Sequence, residues 1–260
     1  MSKTFNFKQF SLTRTKAGMK LSTDAVLLGS WTAQLFPNAQ RVLDIGTGTG
    51  ILSLLYAQFN PQSLIHALDI EAGAIEDAEY NFKSSPFYER LSCQESDILK
   101  ITINDLPEHT RPDLIISNPP YFPEQPNLHG TTKERYTARH NNSLPLLSLF
   151  AKAYELLSPN GIFALMLPAI EENNLLTICQ KTGFTVVEQY LISSVESKKP
   201  YLILLGVQKA SLPLSTTTTK KKVKIKHDYL LTKDNPHSNK PIKSSFWAQL
   251  TKDVYLKPYL

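Results

Sequence analysis

The sequence is poor in the residues that mark secreted, membrane-spanning and metal-binding proteins. Its two cysteines, Cys93 and Cys179, lie far apart and form no CxxC pair, so neither a disulfide framework nor a zinc site is expected. This cysteine usage favours the reducing cytoplasm. No apolar run reaches the roughly 18 residues of a membrane-spanning helix, and the N-terminus lacks the apolar segment of a signal peptide. The six histidines show no ligand spacing, so no metal is expected.

Acidic residues are absent from the start of the chain. Residues 1–23 contain five cations and no acid, and residues 220–226 read KKKVKIK, with five lysines. The whole chain of 260 residues has a formal net charge of +5. Cations at both ends predict a basic rim suited to a nucleic acid, and two solvated charge runs are the alternative.

Strand and helix patterns alternate through most of the chain. Apolar strands are predicted at 41–45, 63–70, 113–117 and 161–167, with helical patterns between them. The segments FTVVEQYL and YLILLGVQK then predict an antiparallel pair. This βαβα order predicts an α/β, Rossmann-like fold with a doubly wound, mostly parallel, seven-stranded sheet.

A glycine-rich turn follows the first of these strands. LDIGTGTG spans residues 43–50, and Gly46, Gly48 and Gly50 alternate between a strand and a helix. Gly46 permits the tight turn, Gly48 lets a ligand approach the backbone, and Gly50 allows helix and strand to pack closely. The free amides at the helix start favour a carboxylate or a phosphate.

Two acidic residues accompany the turn and distinguish between two cofactors. Asp69 ends the second strand, where a carboxylate can accept both hydroxyls of a ribose; a helix-capping aspartate is the alternative. Asp44 stands just before the turn, where it would repel the pyrophosphate of NAD but attract the ammonium group of S-adenosylmethionine (SAM). The pattern therefore predicts SAM and resembles that of class I methyltransferases.

The stretch DLIISNPPYF spans residues 113–122. Its first half predicts a buried strand, and an asparagine, two prolines and a tyrosine follow directly. Pro119 favours extended geometry at Asn118. The Asn118 side chain and the Pro119 main chain offer two neutral carbonyl acceptors, which can hold both hydrogens of a planar NH₂ group. Such acceptors favour the charge that develops on a methylated nitrogen, and Tyr121 offers a face for stacking. These three residues are the predicted catalytic residues, and an ordinary turn is the alternative.

The motif predicts a class of acceptor rather than one substrate. The reactive nitrogen is adenine N6, guanine N2 or a glutamine amide. In the loop that follows, Arg135, Tyr136 and Arg139 fit phosphate contact and stacking, and they are the predicted substrate-binding residues. An exposed loop without a substrate role is the alternative for these three residues.

Several motifs together resemble one family, the bacterial tRNA1(Val) (adenine(37)-N6)-methyltransferases. The resemblance covers roughly residues 4–208. NPPY is shared with many enzymes, and the combination of FKQF with TDAVLLG is far more specific. The motifs are FNFKQF (5–10), MKLSTDAVLLGSW (19–31), LDIGTGTGILSLLYAQ (43–58), SNPPYF (117–122) and RYTARHNNSLPL (135–146).

The resemblance implies methylation of the adenosine beside the anticodon and adds to the cofactor site. Asp97 and Ile98 would hold the adenine of SAM, one through its carboxylate and the other through its amide. The residues from Lys20 to Asp24 would border the pocket. The predicted cofactor-binding residues are Lys20, Thr23, Asp24, Asp44, Gly46, Gly48, Gly50, Asp69, Ile70, Asp97 and Ile98.

The expected organisation has three parts. Residues 1–40 form an N-terminal arm and first helix, residues 41–208 form the SAM-dependent core, and residues 209–260 form a basic extension packed on the core. The expected partner is tRNA, the expected assembly is a monomer, and no membrane is involved.

Three rival functions share parts of this pattern. A protein glutamine N5-methyltransferase also uses NPPY, but it usually carries a substantial helical domain ahead of the glycine turn. Here only 43 residues precede Asp44. An rRNA guanine-N2 methyltransferase is the second rival. The third is a non-enzyme, an RNA-binding or SAM-sensing module, against which the intact Asn118 and Asp69 argue.

Overall fold

The structure is a computed structural model that describes residues 3–17, 21–120, 145–209, 225–232 and 242–256. The strands are β1 (Lys3–Asn6), β2 (Ser11–Arg14), β3 (Arg41–Ile45), β4 (Leu64–Asp69), β5 (Leu91–Glu95), β6 (Leu114–Ser117), β7 (Ile162–Pro168), β8 (Phe184–Val195), β9 (Leu202–Lys209), β10 (Ile225–Thr232) and β11 (Ile242–Lys243). The helices are α1 (Thr23–Leu35), α2 (Ile51–Phe59), α3 (Ala72–Lys83), α4 (Leu146–Leu156), α5 (Glu172–Thr182) and α6 (Ser245–Thr251).

Nine of these strands form one sheet in the order β11-β10-β8-β9-β7-β6-β3-β4-β5. Strands β7, β6, β3, β4 and β5 are mutually parallel, and β9 runs antiparallel to its neighbours β7 and β8. The predicted doubly wound, mostly parallel sheet is therefore confirmed. The seven strands from β3 to β9 form its core, and β10 and β11 extend it beyond β8.

Apolar side chains of the strands alternate between two cores, one on each face of the sheet. In β6, Leu114 and Ile116 pack with one core and Ile115 with the other. Helices α1, α2, α3 and α6 cover the first core, whereas α4 and α5 cover the second. A strand with a helix layer on each face needs apolar residues in a continuous run, which explains the LII sequence.

The two ends of the described chain meet on the first face. β1 and β2 form a hairpin, and Phe7 pairs with Tyr255 through an isolated bridge. Helix α6 packs beside α1, where the Gln34 side chain donates to the Leu250 carbonyl at 2.8 Å. Trp31 and Trp247 are both buried in this core. The boundaries of the three expected parts stay a prediction, although β10 and β11 belong to the same sheet as the core.

Parallel strands bring their carboxyl ends to one edge of the sheet, here called the carboxyl edge. β3 ends there at Ile45, β4 at Asp69 and β6 at Ser117. The antiparallel strand β9 begins at the same edge, because Leu202 pairs with Pro168 at the end of β7. Ligands of open α/β sheets bind at this edge, so a functional site is expected there.

Candidate active site

The glycine turn joins β3 to α2 and leaves open space above its backbone. Gly46, Gly48 and Gly50 have φ values of 71°, 57° and 82°, in the left-handed region that favours glycine. A Cβ atom added at Gly46 or Gly48 would meet nothing within 4 Å. One added at Gly50 would lie 2.5 Å from the Phe82 ring of α3. Gly46 and Gly48 therefore leave room for a ligand, while Gly50 permits close packing, with α3 as the neighbour.

Asp44 is fully buried beneath this turn and half of its carboxylate lacks a partner. Its Oδ2 accepts hydrogen bonds from Thr47 Oγ1 at 2.8 Å and from Ser53 Oγ at 2.7 Å. Its Oδ1 is buried, and no group in the described ranges donates to it. Such an oxygen is costly unless a cation or a donor meets it.

The environment of Asp44 also changes its acidity. Burial raises the pKa of Asp44 to about 6, although the hydrogen bonds from Ser53 and Thr47 act in the opposite direction. The nearby charge of Asp69 adds a smaller upward shift to the same pKa. A buried carboxylate with one free oxygen fits an ammonium group, which is the group that the sequence assigned to it.

Asp69 lies at the end of β4 and holds both the glycine turn and the start of α3. Its Oδ2 accepts from the Gly48 amide at 2.8 Å, and its Oδ1 accepts from the Glu71 amide at 3.0 Å. The residue that caps α3 is Glu71, so Asp69 is not a helix cap. Each carboxylate oxygen retains a second lone pair that a ribose hydroxyl can use. The next residue, Ile70, is 66% exposed and offers an apolar surface beside Asp69.

Asp97 and Ile98 adjoin the same place. The Ser96 amide donates to the Asp69 carbonyl at 2.8 Å, which holds the segment after β5 against the end of β4. Asp97 Oδ1 accepts from the Leu99 amide at 3.0 Å, while Ile98 is buried. The structure thus brings these residues together with Asp69 and the glycine turn.

The predicted catalytic segment leaves β6 directly beside the glycine turn. Ser117 pairs with Ile45 in the sheet, and its Oγ donates to the Ile45 carbonyl at 2.9 Å. Asn118 therefore follows β6 at the level where Gly46 follows β3. Asn118 is partly buried and Pro119 is buried.

Part of the predicted pocket border, residues 20–24, forms the start of α1. The helix cap is Ser22, whose side chain accepts from the Ala25 amide at 3.1 Å, so Thr23 and Asp24 lie in the first turn. Asp24 Oδ1 accepts from the hydroxyl of Tyr201 at 3.0 Å. Five predicted site residues lie outside the described residues: Lys20, Tyr121, Arg135, Tyr136 and Arg139.

Two polar residues of α3 hold the N-terminal arm, and one of them, Asn81, also bonds to the glycine turn; neither was predicted from the sequence. Asp77 accepts hydrogen bonds from the amides of Thr15, Lys16 and Ala17. Asn81 accepts from the Thr13 amide at 2.7 Å and donates to the carbonyls of Thr13 and Thr49 at 2.8 and 2.9 Å. The one available signal was their spacing of four residues, which places them on the same face of a helix.

Three described lysines of the two basic runs are paired with acids, whereas Arg14 donates to the Ala17 carbonyl at 3.1 Å. Lys8 pairs with Asp253 at 3.1 Å, and Lys16 pairs with Glu76. Lys226 pairs with Glu188 at 2.9 Å and lies 4.6 Å from the centre of the Tyr190 ring. Lysines 220, 221, 222 and 224 lie outside the described residues. For Lys8, Lys16 and Lys226, the fold supplies acids that are distant in sequence.

A cavity of about 220 Å³ opens away from this site, among the amino ends of β3, β4 and β5. Its lining includes Arg41, His66 and Leu91, and burial lowers the pKa of His66. The glycine turn and Asn118 lie at the opposite edge of the sheet. In the parts of the chain that the structure describes, no cluster of acidic, histidine or cysteine side chains could hold a metal ion. No helix there is long and apolar enough to cross a bilayer.

Comparison with known proteins gives both a family and a fold. A family model described as a methyltransferase domain matches residues 37–224. A solved structure of a predicted O-methyltransferase from Agrobacterium tumefaciens has a TM-score of 0.64 at 16% identity, and the match covers 88% of this chain and 95% of the other. A glycopeptide N-methyltransferase solved with SAM has a TM-score of 0.52 at 11% identity, over 71% of this chain and 93% of the other. At such low identity, these two structures establish the fold alone.

Similarity in sequence is far more extensive with one group of relatives. The tRNA1(Val) (adenine(37)-N6)-methyltransferase of Vibrio vulnificus is 37% identical over 256 residues, which cover 98% of this chain and 97% of the relative. The match therefore includes the N-terminal arm, the glycine turn, the NPPY segment and the chain beyond residue 209. On this similarity and on the matching domain model, the chain belongs to the tRNA1(Val) (adenine(37)-N6)-methyltransferase family.

Proposed function

We propose that this protein binds SAM at the carboxyl edge and methylates N6 of adenosine 37 in tRNA1(Val). The observation that carries the proposal is the register of β6 against β3, in which Ser117 lies opposite Ile45. This pairing brings the start of the NPPY segment next to the glycine turn, which supports an amine acceptor beside SAM. The name of the Vibrio vulnificus relative supports the choice of substrate.

The residues of the turn fit the parts of SAM in separate ways. Asp44 Oδ1, buried and without a donor in the described residues, would receive the ammonium group. Asp69 would accept the ribose hydroxyls, and the open backbone at Gly46 and Gly48 would allow the cofactor to approach. Asp97, Ile98 and Ile70 would surround the adenine. When bound, SAM supplies an electrophilic methyl group.

Asn118 and Pro119 would select and hold the acceptor nitrogen. The Asn118 side-chain carbonyl and the Pro119 main-chain carbonyl would accept hydrogen bonds from the two N–H groups of an exocyclic amine. In that position they keep the nitrogen lone pair free and stabilise the positive charge that develops on the nitrogen. A hydroxyl or carbon acceptor lacks the two N–H donors, so this pair of carbonyls favours an amine or an amide.

The same proposal also covers the residues that would contact the RNA, the assembly of the enzyme and its location in the cell. Tyr121 would stack on the target adenine, and Lys20 would border the cofactor. Arg135, Tyr136 and Arg139 would contact the RNA around that base. We also propose that the enzyme acts as a monomer in the cytoplasm, where the unpaired thiols of Cys93 and Cys179 would remain reduced.

A methyl-transfer assay with three classes of acceptor tests the proposal. The purified protein is given SAM labelled in its methyl group, together with tRNA1(Val) transcript, rRNA fragments or a glutamine-bearing release factor. We expect label in the tRNA alone, and none in a transcript in which guanosine replaces adenosine 37. Nucleoside analysis should identify the product as N6-methyladenosine.

Each rival predicts a different result in the same assay. Label in the release factor indicates a glutamine methyltransferase, and label in rRNA as N2-methylguanosine indicates the second rival. Binding of SAM and RNA without any transfer indicates a sensing module. The Asn118→Ala variant is the matched control, because it should retain SAM binding and lose transfer.

A further inference from the structure

The turn between β8 and β9, residues 196–201, combines exposed cations with an aromatic ring at the carboxyl edge. β8 ends and β9 begins at this edge, and the main-chain amide of Lys198 closes the turn on the Val195 carbonyl at 3.0 Å. The turn lies next to the end of β7, which itself neighbours β6. It is therefore two strands from Asn118, about 10 Å across the sheet.

Hydrogen bonds to the main chain and to the hydroxyl group hold Tyr201 in this turn. Its amide donates to the Ile192 carbonyl and its carbonyl accepts from the Ala169 amide, both at 3.0 Å. Its hydroxyl donates to Asp24 at 3.0 Å, and the residue remains 39% exposed. The neighbouring Ile170 is 87% exposed and extends the apolar surface. A ring held in this way can receive a flat partner with little further loss of conformational entropy.

Lys198 and Lys199 differ from the cations of the two basic runs. Both side chains are exposed, and within the described residues neither takes part in an ion pair. One acid, the exposed Glu196, lies in the same turn. Lys8, Lys16 and Lys226 must release a protein carboxylate before they can bind a phosphate, whereas Lys198 and Lys199 need not.

We infer that the β8–β9 turn is an RNA-docking surface of this enzyme, an inference that rests on the proposed function. The Tyr201 ring stacks on a base of the substrate loop that flanks the target adenine. Lys198 and Lys199 contact the phosphates beside that base. Single-stranded RNA is bound by this combination of a stacking ring and nearby cations. The distance from Asn118 assigns the ring to a flanking nucleotide, because the target amine must lie at Asn118 itself.

Two sets of variants test the surface, each with a matched control from the amino edge of the sheet. The double variant Lys198→Gln/Lys199→Gln is compared with Lys83→Gln/Lys181→Gln, which removes the same charge at the ends of α3 and α5. Tyr201→Leu is compared with Tyr88→Leu, because Tyr88 is 55% exposed just before β5 begins. For every protein, tRNA affinity is measured against salt concentration, together with KM and kcat for tRNA and the Kd for SAM.

The lysine variant should reduce the slope of log affinity against log salt by about 1.4 to 1.8, the value for two lost phosphate contacts. Tyr201→Leu should raise KM for tRNA about fivefold or more, as expected for a lost stacking contact, with kcat and SAM affinity near wild type. Tyr201→Phe retains the ring and should behave as wild type. Both control variants should also match wild type.

Two results would overturn the inference. The first is a salt dependence of Lys198→Gln/Lys199→Gln that superimposes on that of wild type. The second is an equal loss in the Phe and Leu variants of Tyr201, which would assign the effect to the hydroxyl bond with Asp24. If Tyr201→Leu does not fold, the salt dependence of tRNA affinity in the lysine double variant tests the inference by itself. A wild-type protein that binds tRNA through these lysines but transfers no methyl group refutes the proposed function and leaves the docking surface intact.

Discussion

The buried negative charge of Asp44 is expected to lower the free energy of unfolding of the cofactor-free protein at neutral pH. The pKa of Asp44 in the folded state is about 6, against 3.8 for an unperturbed aspartate, and burial is the main cause. At about 1.36 kcal/mol per pKa unit, this difference corresponds to roughly 3 kcal/mol. Because the folded pKa is raised, the folded state takes up this proton first as the pH falls. The charged carboxylate therefore destabilises the fold above pH 6, and the penalty disappears as the pH falls from about 6 to about 4.

The same ionisation should control SAM affinity. An ammonium group binds the carboxylate and not the neutral acid, and the ionised fraction of a group with a pKa of about 6 drops from about nine-tenths at pH 7 to about one-tenth at pH 5. SAM should therefore bind about tenfold more weakly at pH 5 than at pH 7. An aspartate with an ordinary pKa would show almost no change over this range.

Asp44→Asn separates the two effects. The asparagine oxygen can replace Oδ2 as acceptor for Ser53 and Thr47, and the buried charge is removed. We expect the variant to be up to about 3 kcal/mol more stable than wild type at pH 7.5 in the absence of SAM. It should also bind SAM at least about tenfold more weakly, because a charge-assisted hydrogen bond is lost.

Calorimetric titration with SAM between pH 5 and 7, and urea unfolding without SAM, measure both quantities. Asp253→Asn is the control, because it neutralises a carboxylate that is exposed and paired with Lys8. A SAM affinity that does not change between pH 5 and 7 would refute the raised pKa. An Asp44→Asn variant less stable than wild type at pH 7.5 would refute the assigned cost of burial.

Three further predictions concern neighbouring parts of the site. Asn118→Ala should lower the single-turnover rate by about 100-fold or more with SAM affinity unchanged, and a near-normal rate would refute its role. Asp69→Ala should weaken SAM binding by about 1–3 kcal/mol, and calorimetry showing unchanged affinity would remove Asp69 from the site. Asn81→Ala leaves the Thr13 and Thr49 carbonyls without their donor, so urea unfolding should show a loss of about 1–3 kcal/mol, with weaker SAM binding well below the melting temperature. An Asn81→Ala variant with wild-type SAM affinity would show that Asn81 contributes to stability and not to SAM binding.

Periodicity predicted the core of the fold because buried parallel strands leave a strong local signal. Segments such as RVLDI and DLIIS are apolar on both faces, and the glycine turn follows the first of them directly in sequence. The carboxyl edge then follows from topology, since all parallel strands end there. Asp44, Asp69 and Asn118 were therefore predictable as neighbours from strand order alone.

Contacts between distant segments were not predictable in the same way. The acids that neutralise Lys8 and Lys16 lie at positions 253 and 76, and only folding brings them together. The sequence alone therefore does not show that Lys8 and Lys16 are already paired with carboxylates. Conversely, the ESKKPY sequence of the β8–β9 turn looks unremarkable until the sheet places it at the carboxyl edge.

The N-terminal arm is linked to the glycine turn through α3, a connection that its sequence does not reveal. Asn81 bonds to Thr13 in the arm and to Thr49 in the glycine turn, while Phe82, the next residue, packs against Gly50. A displacement of the arm must therefore either break these hydrogen bonds or move α3 against the turn. The arm is also tied to the C-terminal segment, since the Lys8 amide donates to the Val254 carbonyl at 2.8 Å. The conformation of the glycine turn thus depends on the N-terminal arm and on the C-terminal segment near Val254, through the single helix α3.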